Sequence, residues 1–276
     1  MNTQAIEDGD STETELLRAE LATLRLELEE TRKTTTQYLQ NVAHQLTAPL
    51  NAIKWNIEAI KDEKIPIPRK KNLLSSIYSQ GTILVHLIKN FSLMSNLEAD
   101  HELGQFRDQP EEVNPLRLAI NLISDFQPQA AEMSKQIEIR MLTFDEVFDS
   151  ESLLVVKNLI AQALSNLLEN AIKYSSTGTT IYVAAVVKQQ DGCPWRGISV
   201  TNAGLRILPE ELHHLSDRGF RGSQAKQKIP AGTGIGLYLA DKVMRLHQGL
   251  VIANAKGPET SMTLLFPPSR IVKAGG

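Results

Sequence analysis

Apolar side chains recur every three or four residues from Leu17 to Leu28 and again from Leu39 to Ile60, with Arg32 and Thr35 in the same stripe between them, a spacing that restricts the start of this chain to a long amphipathic helix. The first part of this stripe has the spacing of a coiled-coil seam, with leucines at Leu17, Leu21, Leu24 and Leu28. No proline interrupts the stripe before Pro49. We therefore predict one helix over about residues 13–62, bent at Pro49, because proline lacks the N–H that would bond a carbonyl one turn earlier.

A second helix is predicted after the prolines at Pro66 and Pro68, because apolar residues keep a similar alternation from Leu74 to about Leu97. Two helices cannot enclose a core by themselves. We therefore expect the hairpin to pair with a second copy as a four-helix bundle, which predicts a homodimer through residues 13–98. The alternative is a hairpin docked on the C-terminal domain of its own chain.

The composition limits the class of protein but does not indicate a reaction. The 276 residues, 42% of them hydrophobic, suit two ordinary domains, and a net charge of −3 gives no reason to expect nucleic acid as a partner. The single cysteine, Cys193, excludes an internal disulfide and favours a reducing compartment. No apolar run reaches the length of a membrane span, so we expect a cytoplasmic chain without membrane contact.

The rest of the chain divides into a polar start, a linker and a second domain. We predict a disordered leader at residues 1–12, a linker at 99–112, a domain at 113–268 and a tail at 269–276. The predicted helices of the second domain are Asn114–Met133, Ser152–Tyr174 and Thr233–Leu246, and the predicted strands are Ile137–Met141, Thr180–Lys188, Gly197–Asn202, Leu250–Ala255 and Ser261–Phe266. This mixture predicts an α+β fold with a layer of helices on a mixed sheet.

One histidine of the long helix is a candidate nucleophile. Val42 and Leu46 lie two residues either side of His44 and are rotated from it by about 200° on a helix, so burying them exposes the imidazole. An exposed imidazole is largely neutral near pH 7, which leaves one ring nitrogen free to attack an electrophile. A lone exposed histidine is more often only a solvated side chain, so the interpretation depends on residues further along the chain.

The run from Gly232 to Leu237 has glycines at alternate positions ahead of an apolar helix. Such a run lets backbone N–H groups and the helix N-terminus approach phosphate oxygens closely. It is neither a P-loop nor a dinucleotide fingerprint, because it lacks the lysine of the first and the preceding strand of the second. A flexible loop without a ligand is an equally good interpretation of this run alone.

Four polar residues share one face of a predicted helix. Asn166, Asn170, Lys173 and Tyr174 recur at helical spacing, and Leu167, Leu168, Ala171 and Ile172 are expected on the other face. Amide oxygens can bind Mg²⁺, an ammonium neutralises phosphate and an aromatic ring covers a base. Each residue alone could belong to a solvated helix face, whereas together they suit a nucleotide.

In this order, these runs resemble the motifs of a sensor histidine kinase of two-component signalling. His44 to Leu50 resembles the phosphoacceptor box and Asn166 to Tyr174 resembles the N box. The two glycine boxes are represented by Val200 to Gly204 and by Gly232 to Leu237. The resemblance covers about residues 35–268. It implies a dimerisation and phosphotransfer hairpin followed by an α/β-sandwich ATP-binding domain, of the type shared with DNA gyrase, heat-shock protein 90 and mismatch-repair ATPases.

The resemblance also implies residue roles. His44 would accept the γ-phosphate of ATP and pass it to an aspartate in the receiver domain of a response regulator. Asn170 would hold Mg²⁺, Asn166 would position the phosphates, and residues 207–231 would form a lid over ATP. The other implied nucleotide contacts are Lys173, Tyr174, Asn202, Gly204, Arg221, Gly232, Thr233, Gly234, Gly236 and Leu237.

Four positions depart from the common form of the family. Gln45 stands where an acidic residue usually accepts the imidazole proton, so autophosphorylation is expected to be slow. Ala48 replaces the Thr or Asn that often orients water, which predicts weak phosphatase activity. Asn202 replaces the aspartate that binds adenine, although its amide oxygen can still accept a hydrogen bond. Arg206 replaces a glycine, so the local turn must differ from the usual one.

These departures leave two other functions to consider. The first is a catalytically silent dimer that binds ATP and signals through its conformation, which Gln45 and Ala48 would favour. The second is an ATP-hydrolysing clamp, which Asn166 disfavours because an amide cannot act as the base that activates water.

Overall fold

The structure is a computed structural model that describes residues 4–61, 65–99, 109–190, 192–229 and 233–273. By its internal contacts the chain divides into two compact units, residues 1–44 and 45–276. The first helix, α1 (Gln4–Ile60), begins earlier than predicted. Residues 4–12, which we assigned to a disordered leader, are therefore helical, because extending an existing helix costs far less than nucleating one and no proline opposes it.

The remaining elements follow one another with short connections. In chain order they are α2 (Ile67–Ala99), β1 (Glu111–Val113), α3 (Pro115–Glu132), β2 (Gln136–Ile139), α4 (Met141–Phe148), β3 (Glu151–Val155), α5 (Lys157–Tyr174), β4 (Thr180–Gln190), β5 (Cys193–Ala203), α6 (Ser223–Lys228), α7 (Gly236–Leu246), β6 (Leu250–Lys256), β7 (Glu259–Phe266) and β8 (Ile271–Lys273). Two short 3₁₀ helices lie at Pro209–His214 and Pro268–Arg270. The predicted α+β class is confirmed.

Five strands form the main sheet, in the order β2-β4-β5-β7-β6. Only β2 and β4 are parallel, and the other neighbours are antiparallel. Helix α5 contacts both α3 and α7, all three helices contact the sheet, and the α5 side chains of Ile160, Leu164 and Leu168 are completely buried. The start of α3 is capped as predicted, because the side chain of Asn114 accepts a hydrogen bond from the backbone N–H of Arg117 at 2.9 Å.

A second sheet of three strands, in the order β1-β3-β8, corrects several predicted boundaries. The helix predicted from Ser152 was wrong as far as Val155, since these residues form β3; a short buried apolar run does not distinguish strand from helix. Glu111 and Glu112, assigned to the linker, form β1, and Ile271–Lys273, assigned to the tail, form β8. Helix α4 was not predicted, and α7 begins at Gly236 instead of Thr233.

Helix α2 packs against the C-terminal domain, mainly against α3. Leu93 and Met94 of α2 are buried, and the ring of His86 stacks on Phe126 of α3 with centroids 4.7 Å apart. The docked arrangement that we treated as the alternative is thus present within one chain. Helix α2 carries apolar side chains on more than one face. Docking buries one of these faces and leaves apolar side chains of another face, such as Ile88, exposed.

His86 is buried in this contact and is held in its neutral form. Burial, and then the nearby Lys89, lowers the pKa of His86 to about 4, while Asp125 acts in the opposite direction. Between the ordinary value of 6.5 and about 4, the unfolded chain binds a proton that the folded chain does not. The free energy of unfolding therefore falls as the pH falls through this window, by about 3 kcal/mol in total for this one group.

Replacing His86 by phenylalanine is expected to remove this loss, since a phenyl ring keeps the stack on Phe126 but takes up no proton. Urea unfolding of the wild type and of His86→Phe at several pH values measures the effect. The difference in free energy of unfolding should grow by about 3 kcal/mol, in favour of the variant, as the pH falls from 7 to 4. Parallel pH profiles for the two proteins would show that His86 has no such role.

Candidate active site

A cleft of about 1200 Å³, open to solvent, lies within the second unit. Its walls come from α1, α2, α5, β5, β7, α7 and the segment between β5 and α7. The predicted nucleotide contacts that line it are Asn166, Asn170, Lys173, Tyr174, Asn202, Arg221, Thr233, Gly234, Gly236 and Leu237. Gly204 does not line the cleft, and Gly232 lies outside the described residues.

Helix α5 contributes one wall of the cleft. The four polar residues of its predicted face all line the cleft, but so do Leu167 and Ala171, which we placed on the opposite face. The correction has a simple geometric cause: each of these two residues follows an asparagine directly, and adjacent residues on a helix are only about 100° apart. The wall therefore combines amide groups with apolar surface, as a nucleoside phosphate requires.

Four titratable groups interact inside the cleft. Burial raises the pKa of Glu169, and the nearby Lys173 counteracts this effect. Burial lowers the pKa of Lys173, with Glu169 raising it and Arg221 lowering it further. Burial also raises the pKa of Tyr174, although the charge of Arg221 and its hydrogen bond to the phenol oppose that shift. The cleft therefore brings the carboxyl group of Glu169, the cationic groups of Lys173 and Arg221 and the phenol of Tyr174 into electrostatic contact.

The β5–β7 end of the cleft presents two polar groups side by side. Asn202 of β5 lies directly opposite Thr260 of β7, and both are almost completely buried. The Oγ1 atom of Thr260 has no hydrogen-bond partner among the described residues. Sequence reasoning identified Asn202 but missed Thr260, because only strand pairing makes these residues neighbours.

Gly204 has a structural role next to this end of the cleft. Its N–H donates to the carbonyl of Pro258 at 2.8 Å, and the following N–H, of Leu205, donates to the carbonyl of Tyr174 at 3.0 Å. A Cβ atom added at Gly204 would lie 2.1 Å from that carbonyl oxygen and 2.6 Å from the Cα of Ser175. Only glycine therefore allows the end of β5 to pass the end of α5.

The described part of the glycine run lies at the start of α7. Gly234 has φ +69°, and a Cβ atom there would lie 2.6 Å from the carbonyl oxygen of Phe220. The run thus packs against the preceding loop, while Thr233, Gly236 and Leu237 also line the cleft. The N-terminus of α7 provides backbone N–H groups at this end, a setting that favours phosphate oxygens.

The segment predicted as a lid is held by two charged side chains. The Glu211 carboxylate accepts hydrogen bonds from the backbone N–H groups of Ser223 and Leu208, at 2.7 and 3.1 Å. Burial raises the pKa of Glu211, but these hydrogen bonds outweigh it and leave the pKa lowered. Arg221 donates from Nη2 to the carbonyls of Ala225 and Ile229. The segment is therefore ordered around α6 over its described residues.

Two amide side chains outside the motifs form a series of hydrogen bonds that ends at Asn166. Asn90 of α2 donates from Nδ2 to Oδ1 of Asn166, and Gln162 of α5 donates from Nε2 to Oδ1 of Asn90, both at 2.8 Å. Asn90 and Leu87 also line the cleft. No pattern in the sequence indicated these residues, because Asn90 becomes a neighbour of Asn166 only through the docking of α2.

His44 is exposed on α1, as the positions of Val42 and Leu46 predicted, and these two side chains are half-buried. It is the last residue of the first unit, whereas the cleft belongs to the second. Gln45, the first residue of the second unit, is half-buried and lines the cleft. Ala48 is exposed.

Comparison with protein families matches both parts of the chain. The model of the His Kinase A (phospho-acceptor) domain matches residues 34–100, and the model of the histidine kinase-, DNA gyrase B- and HSP90-like ATPase matches residues 155–270. The chain belongs to the sensor histidine kinase family. The two matched regions contain His44 and all the described residues of α5 and the glycine run.

Curated relatives are also similar over most of the chain. The phosphate regulon sensor protein PhoR of Haemophilus influenzae is 24% identical over 241 residues, which cover 86% of this chain and 52% of that protein. The sensor histidine kinase RppB of Synechocystis sp. is 26% identical over 236 residues, or 84% of this chain and 48% of that protein. This histidine kinase chain thus spans about half the length of these curated relatives.

A solved structure supports the fold. Full-length ShkA, crystallised in complex with AMPPNP, matches with a TM-score of 0.52 at 17% identity, over 87% of this chain and 46% of that one. Within the described ranges of the kinase chain, we find no helix that is long and apolar enough to cross a membrane. The same ranges contain no cluster of three or more His, Cys, Asp or Glu side chains suited to a metal ion.

Proposed function

We propose that this chain transfers the γ-phosphoryl group of ATP to His44 and then to an aspartate of a response-regulator receiver domain. The observation that carries the proposal is the single cleft that gathers the α5 polar face, Asn202 and the start of α7. Sequence positions far apart in the chain thus form one surface of the composition that ATP needs: apolar for the base, cationic and rich in N–H donors for the phosphates.

The residues of the cleft fit ATP at both ends. Tyr174 offers an aromatic face to adenine, and Asn202 together with the unpartnered Oγ1 of Thr260 offers polar contacts to its edge. Lys173, Arg221 and the start of α7 suit the phosphates, for which the lid residues 207–231 would provide a cover. The carboxyl groups of Glu169 and Glu211 also line the cleft.

Mg²⁺ is part of this proposal, with the amide oxygen of Asn170 as its protein ligand. When bound, the ion would offset the negative charge of the phosphates and orient them. A single amide ligand is compatible with Mg²⁺, which keeps several waters and takes its other ligands from phosphate oxygens.

The phosphoryl transfer would proceed at an imidazole nitrogen of His44. Its lone pair forms the new N–P bond while the bond between phosphorus and the leaving oxygen of ADP breaks, and the ring then releases its proton. Gln45 cannot accept that proton, so water must, which makes the step slow. In the second transfer the N–P bond breaks and an O–P bond to the regulator aspartate forms. With Ala48 in place of a residue that orients water, we expect weak phosphatase activity.

We also propose that the chain works as a homodimer through residues 13–98. Large apolar side chains remain exposed along both hairpin helices in the single chain, at Leu50, Trp55, Ile57, Leu74, Tyr78, Val85 and Ile88. So many exposed large apolar side chains on a helical hairpin are typical of an oligomer interface. Because the donor ATP and the regulator are substrates of the cytoplasm, we propose that compartment for these residues.

The function is tested by incubating the protein with γ-labelled ATP and Mg²⁺. We expect label that is stable in base and labile in acid, as a phosphohistidine requires, and no label in His44→Gln. The exposed residue Gln40 lies one turn earlier on α1, and Gln40→Ala should retain the label. His44→Gln should still bind a non-hydrolysable ATP analogue, since the proposed nucleotide contacts all lie in the second unit.

Two outcomes would contradict the proposal. Nucleotide binding without any label in the wild type would indicate the silent ATP-binding dimer instead. Steady ATP hydrolysis that persists in His44→Gln would indicate an ATPase clamp, in which the histidine has no part.

A further inference from the structure

Three amide side chains form a directed chain of hydrogen bonds from the protein interior to the cleft. Gln162 donates to Asn90, and Asn90 donates to Oδ1 of Asn166, with both donor–acceptor distances at 2.8 Å. Gln162 and Asn166 lie one turn apart on α5, whereas Asn90 belongs to α2. The middle member of the chain therefore comes from the hairpin and both outer members come from the nucleotide-binding domain.

The direction of this chain fixes the orientation of the Asn166 amide. Because Oδ1 of Asn166 is engaged by Asn90, its NH₂ group must point the other way. That Nδ2 atom is buried and has no partner within the described part of the chain, although Asn166 lines the cleft. The side chain also lies close to the start of α7, since a Cβ atom added at Gly236 would lie 3.5 Å from Oδ1. A buried amide donor without a partner is unfavourable, and a phosphate oxygen would satisfy it.

We propose that Asn90 is a positioning residue for ATP: it orients the Asn166 amide so that Nδ2 donates to the nucleotide phosphates. This inference rests on the proposed function and extends it to a residue outside the nucleotide-binding motifs. It also makes the phosphate contact of Asn166 depend on the docking of α2. When α2 leaves α5, the Asn166 amide loses its fixed orientation and ATP loses a preorganised donor.

The docking of α2 does not itself depend on Asn90. Leu93 and Met94 are buried in the same contact, and His86 stacks on Phe126. Changing one amide at the edge of this apolar contact should therefore leave α2 in place. A change of nucleotide affinity in an Asn90 variant would therefore report on the orientation of the Asn166 amide and not on the docking of α2.

Asn90→Asp tests the proposal because it reverses one hydrogen bond at nearly constant shape. A carboxylate cannot donate to Oδ1 of Asn166, so it attracts the NH₂ group of Asn166 and withdraws it from the cleft. We expect the Kd of full-length protein for a non-hydrolysable ATP analogue to rise about tenfold, the usual scale for losing a hydrogen bond to a charged group. The affinity for adenosine, which has no phosphates, should stay unchanged.

The matched control is Asn96→Asp, the same substitution at an exposed position of α2. It adds the same charge to the same helix and should change neither affinity. Gln162→Met removes the hydrogen bond at the other end of the amide series without adding a charge. We expect it to weaken binding of the ATP analogue several-fold and to leave the affinity for adenosine unchanged. If Asn90→Asp does not fold, Gln162→Met tests the proposal in its place.

The proposal is overturned if Asn90→Asp binds the ATP analogue like the wild type, or if it loses affinity for the ATP analogue and adenosine equally. If the wild type binds the analogue and becomes labelled at His44, either result contradicts only the role of Asn90. The proposed kinase function would then still hold. A wild type that binds no ATP analogue would instead reject the proposed function, and this inference with it.

Discussion

Asn170→Ala is expected to lower the rate of autophosphorylation by at least about 100-fold, the largest effect on activity among the residues of the cleft. Asn170 lines the cleft on the same face of α5 as Asn166 and Lys173, and its amide oxygen is the proposed protein ligand of Mg²⁺. Without this ligand the ion loses its fixed position, and the phosphates are no longer oriented for transfer.

The informative measurement is the dependence of nucleotide binding on Mg²⁺. For the wild type, adding Mg²⁺ to a solution first depleted by chelator should strengthen ATP binding. For Asn170→Ala that gain should disappear, while binding in chelator remains similar. Asn254→Ala changes an exposed asparagine on β6 and provides the matched control. If Asn170→Ala keeps the full gain with Mg²⁺, another residue holds the ion.

Gly204→Ala is expected to have the largest effect on stability. The added methyl group would lie 2.1 Å from the carbonyl oxygen of Tyr174, and backbone on both sides prevents relief by a rotamer change. We expect the free energy of unfolding to fall by about 3 kcal/mol or more. Because Tyr174 must move, ATP binding should weaken at temperatures where the variant is still folded.

Gly81→Ala is the appropriate comparison, since a Cβ atom at Gly81 in α2 meets nothing within 4 Å. The same substitution there should raise the free energy of unfolding by up to about 1 kcal/mol, because alanine favours the helix. Urea unfolding of both variants measures the difference. Similar stabilities for the two would show that the junction of α5 and β5 adjusts easily.

Helical spacing and local motifs were sufficient for much of the site. The positions of Asn166, Asn170, Lys173 and Tyr174 on one face of α5 followed from spacing alone, and all four line the cleft. Exposure of His44 followed in the same way from its apolar neighbours. Such predictions succeed because a helix fixes the angular relation of residues that are close in the sequence.

Predictions failed where a local pattern fits two structures equally well. The apolar run that ends at Val155 suits a buried strand as well as a helix, and only its pairing with β1 and β8 decides between them. The same holds for Glu111 and for Ile271, which become strand residues because β3 offers them hydrogen-bonding edges. Pairing partners so far apart in sequence leave no trace in periodicity.

The sequence by itself determined the chemical groups available to this chain: the exposed histidine, the amides and lysine of α5, and the glycines at the start of α7. The tertiary structure decided which other groups join them. Thr260 reaches Asn202 through strand register, and Asn90 reaches Asn166 across 76 positions of the chain. The physical reason is that hydrogen bonds between side chains depend on distances of about 3 Å, which local spacing fixes only within one helix or strand.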